Sequence, residues 1–369
     1  MNFTVSRDAL LEALQKVQSV VEKKNTLHIL SNVLLEVADQ NLFLTATDLE
    51  VGIKLSIPVQ ASDDGKVAVS AKNFFEIVKE LPNKPVSIHK KENSWIEISC
   101  QKSKFNIVGL AADEFPPLPA FDSGNYQQVN MATAREMIDR TVFAVSTDET
   151  RYHLNGAFLE SLENNLLRMV ATDGHRLAYI DKELVLNGAD QFKRGIIIPK
   201  KGMAELRRLL DTKDDSFKMT VDKGNLLVKL EKALLFIRLI EGEYPDYEQV
   251  IPKNNTKRMT LNREEFLGSL KRVALLANEK SRNVKFSLKE RVLTISSSNS
   301  DLGDAKEELD VEYGNDPIEI GFNAKYLIDC LTILDVDKVT IDLNDKLSPG
   351  LLKPFGRDDY TYIVMPMRI

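Results

Sequence analysis

The chain has 369 residues, of which 43% are hydrophobic, 28% charged and 7% aromatic. This length exceeds one ordinary hydrophobic core and predicts two or three domains. No run approaches the ~20 apolar residues that span a bilayer, and Met1–Arg7 lacks an apolar signal segment, so a cytoplasmic protein without membrane contact is expected. Cys100 and Cys330 lie far apart, which argues against a disulfide framework and a zinc site, and no metal or cofactor is expected.

The charge is acidic overall, with a formal net charge of −6. Each third of the chain is slightly acidic as well: residues 1–124 carry 13 basic and 16 acidic side chains, 125–251 carry 18 and 20, and 252–369 carry 18 and 19. No third is a basic nucleic-acid-binding module. If a polyanion is bound, its cations must be gathered on one face of the protein.

The chain in order shows an internal repeat. The segment 44–50 is an apolar run followed by Thr-Asp, and 170–177 repeats this outline with the Asp residues, Asp48 and Asp173, 125 positions apart. A weaker third copy covers 293–299. Asp-Gly at 173–174 is a strong turn signal, so the repeated feature is a strand that runs into a turn.

Two helices are expected in each copy. Ser6, the Thr133 and Glu136 capping box, and Asn262 with Glu265 are predicted to start the first helices, which carry apolar residues at helical spacing. Second helices are expected after Ser70, Pro199 and Asn323. Between them, strand pairs are predicted at 33–37 with 42–46, 156–160 with 166–171, and 284–288 with 292–296.

The predicted fold class is therefore α+β, with three tandem repeats of about eight strands each and two helices packed on antiparallel sheet. The expected domains are 1–124, 125–251 and 252–369. The motifs Glu114-Phe115-Pro116 and Glu243-Tyr244-Pro245 close the first two copies before polar linkers. Repeats joined end to end form a curved array, which closes into a ring if the curvature fits.

Basic residues recur on the second helices. Lys72 and Lys79 are seven residues apart, and Lys201 and Arg208 have the same spacing with Lys200 and Arg207 beside them. Seven residues are close to two helical turns, so each pair shares one helix face. The first helices and the turns after them add further cations, including Arg140. One interpretation is a solvated helix face; the other is a surface that binds duplex phosphates without reading sequence.

An enzyme is the third possibility. Asp173 and His175 are candidates for a base and its orienting group in a hydrolase. No nucleophile elbow, phosphate loop or metal-ligand cluster accompanies them, and Asp48 has no following histidine. Catalysis is therefore not expected, and Asp173 is interpreted as a turn residue.

The combination of motifs closely resembles one family. Thr45–Glu50, Val170–Ala178, Tyr244–Tyr247, Asn278–Lys280 and the terminal Met365–Arg368, set in three tandem repeats, are similar to the bacterial sliding clamp, the beta subunit of DNA polymerase III. The resemblance covers the whole chain. It implies a DNA-clamp fold that closes as a ring of two subunits around duplex DNA, with the helices lining the hole.

The resemblance also implies a pocket for partner peptides between the second and third repeats. Its residues would be Leu154, Thr172, Gly174, His175, Arg176, Leu177, Pro245, Val250, Asn323, Tyr326, Leu347, Ile363, Met365, Pro366, Met367 and Arg368. Leucine, valine and methionine offer an adaptable apolar floor, and a partner tail with Leu or Phe near its end would fit. The alternative for the terminal segment is an edge strand.

Two further surfaces follow from the resemblance. Leu275 and Leu276 on one face and Phe105 and Ile107 on another would form the homodimer interface. DNA contact is implied for Lys24 and Arg151, with Lys200 and Lys201 behind them, although Asp148 near Arg151 weakens that contact.

The function that this implies is non-enzymatic. The protein would encircle duplex DNA and tether DNA polymerase, the clamp loader and repair proteins, which raises the local concentration of a weakly bound polymerase at its template. Two alternatives stay open at this point: a peptide-binding scaffold that does not enclose DNA, and a hydrolase that uses Asp173 and His175.

Overall fold

The structure, a computed structural model, describes residues 1–21, 27–120, 126–184, 192–211 and 215–368. Within these ranges the chain forms two compact units. The first unit comprises residues 1–134 and 201–239, and the second comprises 135–185, 192–200 and 240–369. Each unit thus combines one end of the chain with part of its middle.

The described residues contain six α-helices, two in each third, as predicted. The first third contains β1 (Asn2–Val5), α1 (Arg7–Gln18), β2 (Asn32–Ala38), β3 (Asn41–Thr47), β4 (Val51–Pro58), β5 (Gln60–Asp63), β6 (Gly65–Ser70), α2 (Ala71–Glu80), β7 (Val86–Lys90), β8 (Ile96–Cys100), β9 (Ser103–Ile107) and β10 (Gly109–Leu110). The middle third contains β11 (Gln127–Asn130), α3 (Met131–Thr141), β12 (Gly156–Leu162), β13 (Leu166–Thr172), β14 (Arg176–Glu183), β15 (Ile196–Pro199), α4 (Lys200–Leu209), β16 (Ser216–Asp222), β17 (Asn225–Lys229) and β18 (Ala233–Arg238). The last third contains β19 (Lys257–Asn262), α5 (Arg263–Val273), β20 (Asn283–Lys289), β21 (Val292–Asn299), β22 (Gly303–Asp310), β23 (Ile318–Asn323), α6 (Ala324–Ile333), β24 (Lys338–Leu343), β25 (Gly350–Pro354) and β26 (Tyr360–Val364).

The helix starts agree with the sequence in most places. Ser70 and Asn262 accept hydrogen bonds from backbone amides of the first turn, as an N-cap residue does. Ser6 precedes α1 without a side-chain cap. The capping box at Thr133 was wrong: α3 already begins at Met131, and Asn130 Oδ1 accepts from the Thr133 amide at 3.1 Å. An asparagine three residues upstream of Thr133 accepts the free amide instead.

The first unit contains two antiparallel sheets. One has five strands in the order β5-β1-β7-β8-β9, and the other has nine in the order β10-β6-β2-β3-β4-β18-β17-β16-β11. The nine-stranded sheet joins strands of two repeats through β4 and β18, where Val51 lies opposite Ile237. The first repeat and the second therefore share one hydrogen-bonded sheet.

The second unit repeats this arrangement. Its eight-stranded sheet has the order β15-β12-β13-β14-β26-β25-β24-β19, and its four-stranded sheet has the order β22-β21-β20-β23. Here β14 and β26 join two repeats, with Arg176 opposite Val364. All five residues of β26 are buried, and Tyr360 and Tyr362 are among the largest fully buried side chains. β26 is thus an interior strand of its sheet.

A cluster of ion pairs ties α3 to this shared sheet. Glu136 on α3 binds Lys182 of β14 at 2.5 Å and Arg357 at 2.9 Å. Asp359, directly before β26, binds the same two cations, Lys182 at 2.9 Å and Arg357 at 2.6 Å. Burial would raise the pKa of Asp359, but the bonds from Arg357 and Lys182 outweigh burial and lower it from 3.8 to about 2.

Removing the Asp359 carboxylate is expected to make the free energy of unfolding less dependent on pH in the acidic range. A carboxyl whose pKa is lowered by folding stabilises the protein above its unfolded pKa, and that stabilisation is lost as the pH falls from 3.8 towards 2. Asp359→Asn is expected to lower the free energy of unfolding at pH 7 by about 1–2 kcal/mol, and by progressively less below pH 4.

Urea unfolding at pH 7, 4 and 3 measures this difference. Asp358→Asn is the matched control, because the adjacent Asp358 side chain is 98% exposed and binds Lys353 alone among the recorded ion pairs of the described residues. If Asp359→Asn lowers the free energy of unfolding by the same amount at all three pH values, the role given to the Asp359 charge is contradicted.

Candidate functional site

The turn that follows β13 is held by its own side chains. Thr172 Oγ1 donates to the carbonyl oxygen of Arg176 at 2.6 Å and accepts from the Gly174 amide at 3.1 Å. Asp173 Oδ1 accepts from the backbone amides of His175 and Arg176 at 2.9 and 3.0 Å. Gly174 has a φ of +87°, which glycine adopts without steric cost.

The same bonds recur in the first repeat. Thr47 Oγ1 donates to the Val51 carbonyl and accepts from the Leu49 amide, and Asp48 Oδ1 accepts from the amides of Glu50 and Val51. The interpretation of the Thr-Asp motif as a repeated turn is therefore confirmed. Both aspartates mainly satisfy backbone amides, which is a structural role.

Arg176 is the central cation of this site. Its side chain is only 8% exposed, and it donates to Asp173 at 3.0 Å, to Asp329 of α6 at 2.7 Å and to the Phe143 carbonyl at 2.7 Å. The guanidinium also lies 4.6 Å from the centre of the Tyr326 ring. Burial opposes the charged form, but the hydrogen bond to Asp329 and the charges of Asp173 and Asp329 outweigh it and raise the pKa of Arg176.

The second carboxylate oxygen of Asp173, Oδ2, accepts from the Arg176 guanidinium. The hydrogen bond between Asp173 and His175 joins the first oxygen, Oδ1, to the His175 backbone amide. The His175 side chain is exposed and stacks on Tyr326, with ring centres 6.4 Å apart. Within the described residues, no recorded contact joins the Asp173 carboxylate to the His175 imidazole. Asp173 is occupied by Arg176 and by backbone amides instead.

An apolar cluster lies on the other side of the turn. It is formed by Val170, Leu177, Tyr247 and Ile363, with Tyr244 packed against it. Two residues predicted to contact partner peptides are close in sequence to the tyrosines of this cluster. Pro245 and Val250 are both exposed, and the exposed fraction of Val250 is 37%. Leu177 and Ile363 face each other across β14 and β26. The apolar cluster therefore combines side chains of the shared sheet with side chains of the segment that begins at Tyr244.

Arg168 holds that segment on the sheet, a role that the sequence did not reveal. Its guanidinium binds Asp181 through two bonds of 2.6 Å and donates to Tyr247 Oη at 3.3 Å, while Tyr247 donates to Glu160. Burial and the neighbouring Glu160 raise the pKa of Tyr247. The signal available in the sequence was the spacing of Arg168 and Asp181 on two strands that pair. Whether the two side chains lie opposite each other depends on the strand register.

The C-terminal segment completes the site. The Met365 amide donates to the His175 carbonyl at 2.9 Å, and the Met367 amide donates to the Gly321 carbonyl at 2.8 Å. Asn323 caps α6 by accepting from the Lys325 amide. Pro366 and Met367 are partly buried and Arg368 is exposed. The segment therefore crosses from the eight-stranded sheet to the four-stranded sheet of the same unit.

A cavity of about 670 Å³ opens beside the turn. Of the residues predicted for the peptide pocket, His175, Arg176 and Tyr326 line it. Its remaining lining includes Arg151 and Lys200 from the predicted DNA surface, and Phe143, Lys325 and Asp329, which the sequence did not single out. Leu154 is buried at the end of a 3-10 helix, and Leu347 is 71% exposed in the loop after β24. The assignment of the pocket residues stays a prediction.

The predicted DNA-binding cations differ in their surroundings. Lys72, Lys79 and Lys200 are exposed. Lys79 nevertheless binds Glu76 at 3.8 Å. Four other cations bind carboxylates: Arg151 binds Asp148, Lys201 binds Asp48, Arg207 binds Asp211 and Arg208 binds Glu205. Lys24 lies outside the described residues. Arg140 was expected among the surface cations, but it is buried and binds Glu136.

Two of the predicted dimer residues lie on an edge strand of the five-stranded sheet, and the other two lie in a turn that contacts the four-stranded sheet. Phe105 and Ile107 are on β9, the last strand of the five-stranded sheet. Leu275 and Leu276 are in the 3-10 turn that follows α5, and Leu275 is 75% exposed. In the described residues, no group of three or more histidine, cysteine or acidic side chains has a geometry for a metal ion, and no helix is long and apolar enough to cross a membrane.

Comparison with protein families matches the whole chain. The N-terminal, central and C-terminal domain models of the DNA polymerase III beta subunit match residues 1–119, 128–246 and 248–368. The beta sliding clamps of Pseudomonas aeruginosa and Vibrio cholerae are 36% and 34% identical, and each alignment covers 100% of both chains.

Solved structures agree. A Pseudomonas aeruginosa sliding clamp bound to griselimycin has a TM-score of 0.95 at 36% identity, with both chains fully covered. The sliding clamp of Bacillus subtilis has a TM-score of 0.95 at 30% identity and covers 100% of this chain and 99% of its own. The expected clamp fold is confirmed, and the chain belongs to the family of bacterial DNA polymerase III beta subunits, the sliding clamps.

Proposed function

We propose that two copies of this chain close into a ring around duplex DNA, where they act as the processivity clamp of a replicative DNA polymerase. Family membership assigns the chain to a non-catalytic subunit. Tethering keeps a weakly bound polymerase near its template, so processivity requires no chemistry from the clamp itself. A replication subunit acts where the bacterial chromosome lies, in the cytoplasm.

The observation that carries the ring is the state of the sheet edges. Both junctions between repeats are continuous sheets. Each edge strand of the described sheets has a hydrogen-bonded neighbour on one side only, and β9 and β22 are the two edges that carry or contact the residues assigned to the dimer interface. Unpaired edges invite another strand. We infer that β9 of one copy meets β22 of a second copy, with Phe105 and Ile107 packing near Leu275 and Leu276. Two different surfaces in contact give the head-to-tail arrangement that closes a ring.

DNA is held in this proposal by weak, sequence-independent contacts. Lys72, Lys79 and Lys200 are exposed lysines near the starts or along the faces of second helices, while Lys201, Arg207 and Arg208 bind carboxylates. Arg151 and Lys24 complete the assigned set. A cation that already binds a carboxylate gains less from a phosphate, so affinity for open DNA should be low. Enclosure rather than affinity then keeps the ring on DNA.

Partner proteins are assigned to the surface over the apolar cluster, not to the cavity beside the repeated turn. Leu177 and Ile363 of this cluster are buried, and the exposed Pro245 and Val250 suit a short peptide with Leu or Phe near its end. We propose that polymerase, the clamp loader and repair proteins use this surface in turn. The three domains, 1–124, 125–251 and 252–369, keep their proposed boundaries, and no cofactor is assigned.

Retention on DNA tests the ring. Protein loaded onto nicked circular DNA by a bacterial clamp loader is expected to stay bound at about 0.5 M salt, because a closed ring does not depend on unscreened charge contacts. Linearising the circle should release the protein within minutes by sliding off the ends. Gel filtration of labelled protein with the DNA measures both. Equal retention on circular and linear DNA would favour the peptide-binding scaffold that does not enclose DNA.

The surface assignment has its own test. Val250→Asp places a charge at a surface position beside the apolar cluster and is expected to weaken binding of a short Leu- and Phe-containing peptide at least about tenfold. Fluorescence anisotropy of the labelled peptide measures this affinity.

Phe355→Asp is the matched control for that variant. Phe355 is 56% exposed and follows the last residue of β25. The first residue of β25, Gly350, is the one that pairs with Val364 beside the C-terminal segment. The Phe355→Asp variant should bind the peptide as the unmodified protein does. Equal affinities of the Val250→Asp variant and this control would contradict the proposed peptide surface.

A further inference from the structure

One face of the nine-stranded sheet carries a row of lysines. Lys218 lies directly opposite Lys229 across β16 and β17. Leu234 of β18 lies opposite Lys229 on one side and opposite Lys54 of β4 on the other. Residues that are opposite in neighbouring strands share a face of the sheet, and neighbouring strands lie ~4.8 Å apart. Lys54, Lys229 and Lys218 therefore form a lysine row that spans about 14 Å across four strands.

The lysine row faces solvent. Lys229 is exposed, and Lys54 and Lys218 are partly exposed. The neighbours of the row along the strands point to the opposite face, because side chains alternate along a strand. Two of these neighbours, Ile53 and Val228, are at most 1% exposed. The row thus lies on the outward face of the sheet, and the hydrophobic core lies behind the other face.

The eight-stranded sheet of the second unit has different residues at these positions, so the fold does not require the row. The two sheets match where β4 pairs with β18 and where β14 pairs with β26. This match places Tyr179 at the position of Lys54, and Thr340 at the position of Lys218. The middle lysine of the row is matched by Lys353, which forms an ion pair with a carboxylate of the following loop. One cation with its own carboxylate thus occupies the place of three lysines.

The charges around the row favour an anionic partner. Lys218 and Lys229 carry the same charge in directly opposite positions, and such a pair destabilises neighbouring strands. On the same face, Glu36 binds both Lys54 at 3.3 Å and Lys66 at 2.7 Å, so two cations share one carboxylate. An anionic group over the row would reduce the repulsion between the two ammonium groups and supply negative charge to the others.

The surroundings of the row do not suit nucleic acid. Proteins that bind single strands stack the bases on aromatic rings. The two rings beside the row already have an ammonium group over them: Lys54 Nζ lies 4.5 Å from the centre of the Phe43 ring, and Lys218 Nζ lies 4.2 Å from that of Tyr126. The net charge of the chain is −6, which repels a densely charged polyanion.

An extended polypeptide matches the dimensions of the row. Every second side chain of an extended segment points to the same side, with a spacing of about 6.8 Å. Three acidic side chains at alternate positions therefore cover about 14 Å, which is the span of the row. The partly exposed Leu234 between Lys54 and Lys229 gives the same segment an apolar contact.

We propose that the lysine row is a docking surface for an extended acidic segment of a partner protein. The row belongs to the first unit, whereas the surface over the apolar cluster belongs to the second. A partner that has both an apolar tail and an acidic segment then binds one chain at two places, which raises its overall affinity. The proposal requires neither ring closure nor the peptide surface.

An acidic peptide tests the surface. A labelled peptide of alternating glutamate and serine, about 12 residues long, is expected to bind the full chain at about 50 mM salt and to dissociate as the salt concentration rises, because exposed ion pairs are screened. Lys218→Gln with Lys229→Gln should raise the dissociation constant about tenfold, as loss of two exposed ion pairs does. Fluorescence anisotropy measures the affinity.

Lys84→Gln with Lys289→Gln is the matched control. Both lysines are exposed and lie outside the row, so this variant loses the same charge from other places. It should bind the peptide as the unmodified protein does. Equal dissociation constants for the two double variants would overturn the proposal.

Carbodiimide coupling locates the contact on the unmodified protein, so this measurement does not depend on how a variant folds. Mass spectrometry should find the peptide attached at Lys54, Lys218 and Lys229, and attachment mainly at Lys72 and Lys79 would overturn the proposal. Single-stranded DNA of about 12 nucleotides is the rival probe. If DNA binds more tightly than the peptide and the row variant loses that binding, the assignment to an acidic segment is wrong. A monomer that still couples at the row would contradict the proposed ring alone.

Discussion

Antiparallel pairing between repeats is the constraint on which the rest of the structure depends. Because β4 pairs with β18 and β14 pairs with β26, each compact unit is built around a sheet drawn from two repeats. In β26 the side chains on both faces are buried, since all five of its residues are buried. A single repeat, separated at its sequence boundaries, would expose such a strand to solvent. The repeats are therefore defined by sequence and are not independently stable units.

The site follows from that constraint. The turn after β13 is local and self-sufficient, since Thr172 and Asp173 satisfy its amides. What surrounds the turn is distant in sequence: Asp329 comes from α6, Tyr247 from the segment before the last third, and Met365 from the chain end. From a buried position Arg176 binds Asp173 of the turn, Asp329 of α6 and the Phe143 carbonyl, so loss of its charge would leave Asp329 and Asp173 without their shared partner.

Sequence reasoning succeeded where the cause is local. The caps Ser70, Asn262 and Asn323, the repeated turn and the strand pairs follow from neighbouring residues. It was less informative about cations, because neutralisation depends on tertiary partners: Lys201 and Asp48 are 153 residues apart, and Arg140 is buried beside Glu136. Asp329 and Arg168 were missed for the same reason, since nothing near them in the chain indicates Arg176 or Tyr247.

The most direct measurement is small-angle scattering combined with light scattering over a dilution series. One chain has a mass of 41.6 kDa. The account predicts a particle of about twice that mass whose scattering profile is that of a hollow ring, and which dissociates to the single chain only on strong dilution. A compact particle with the mass of one chain at every concentration would contradict the closed ring.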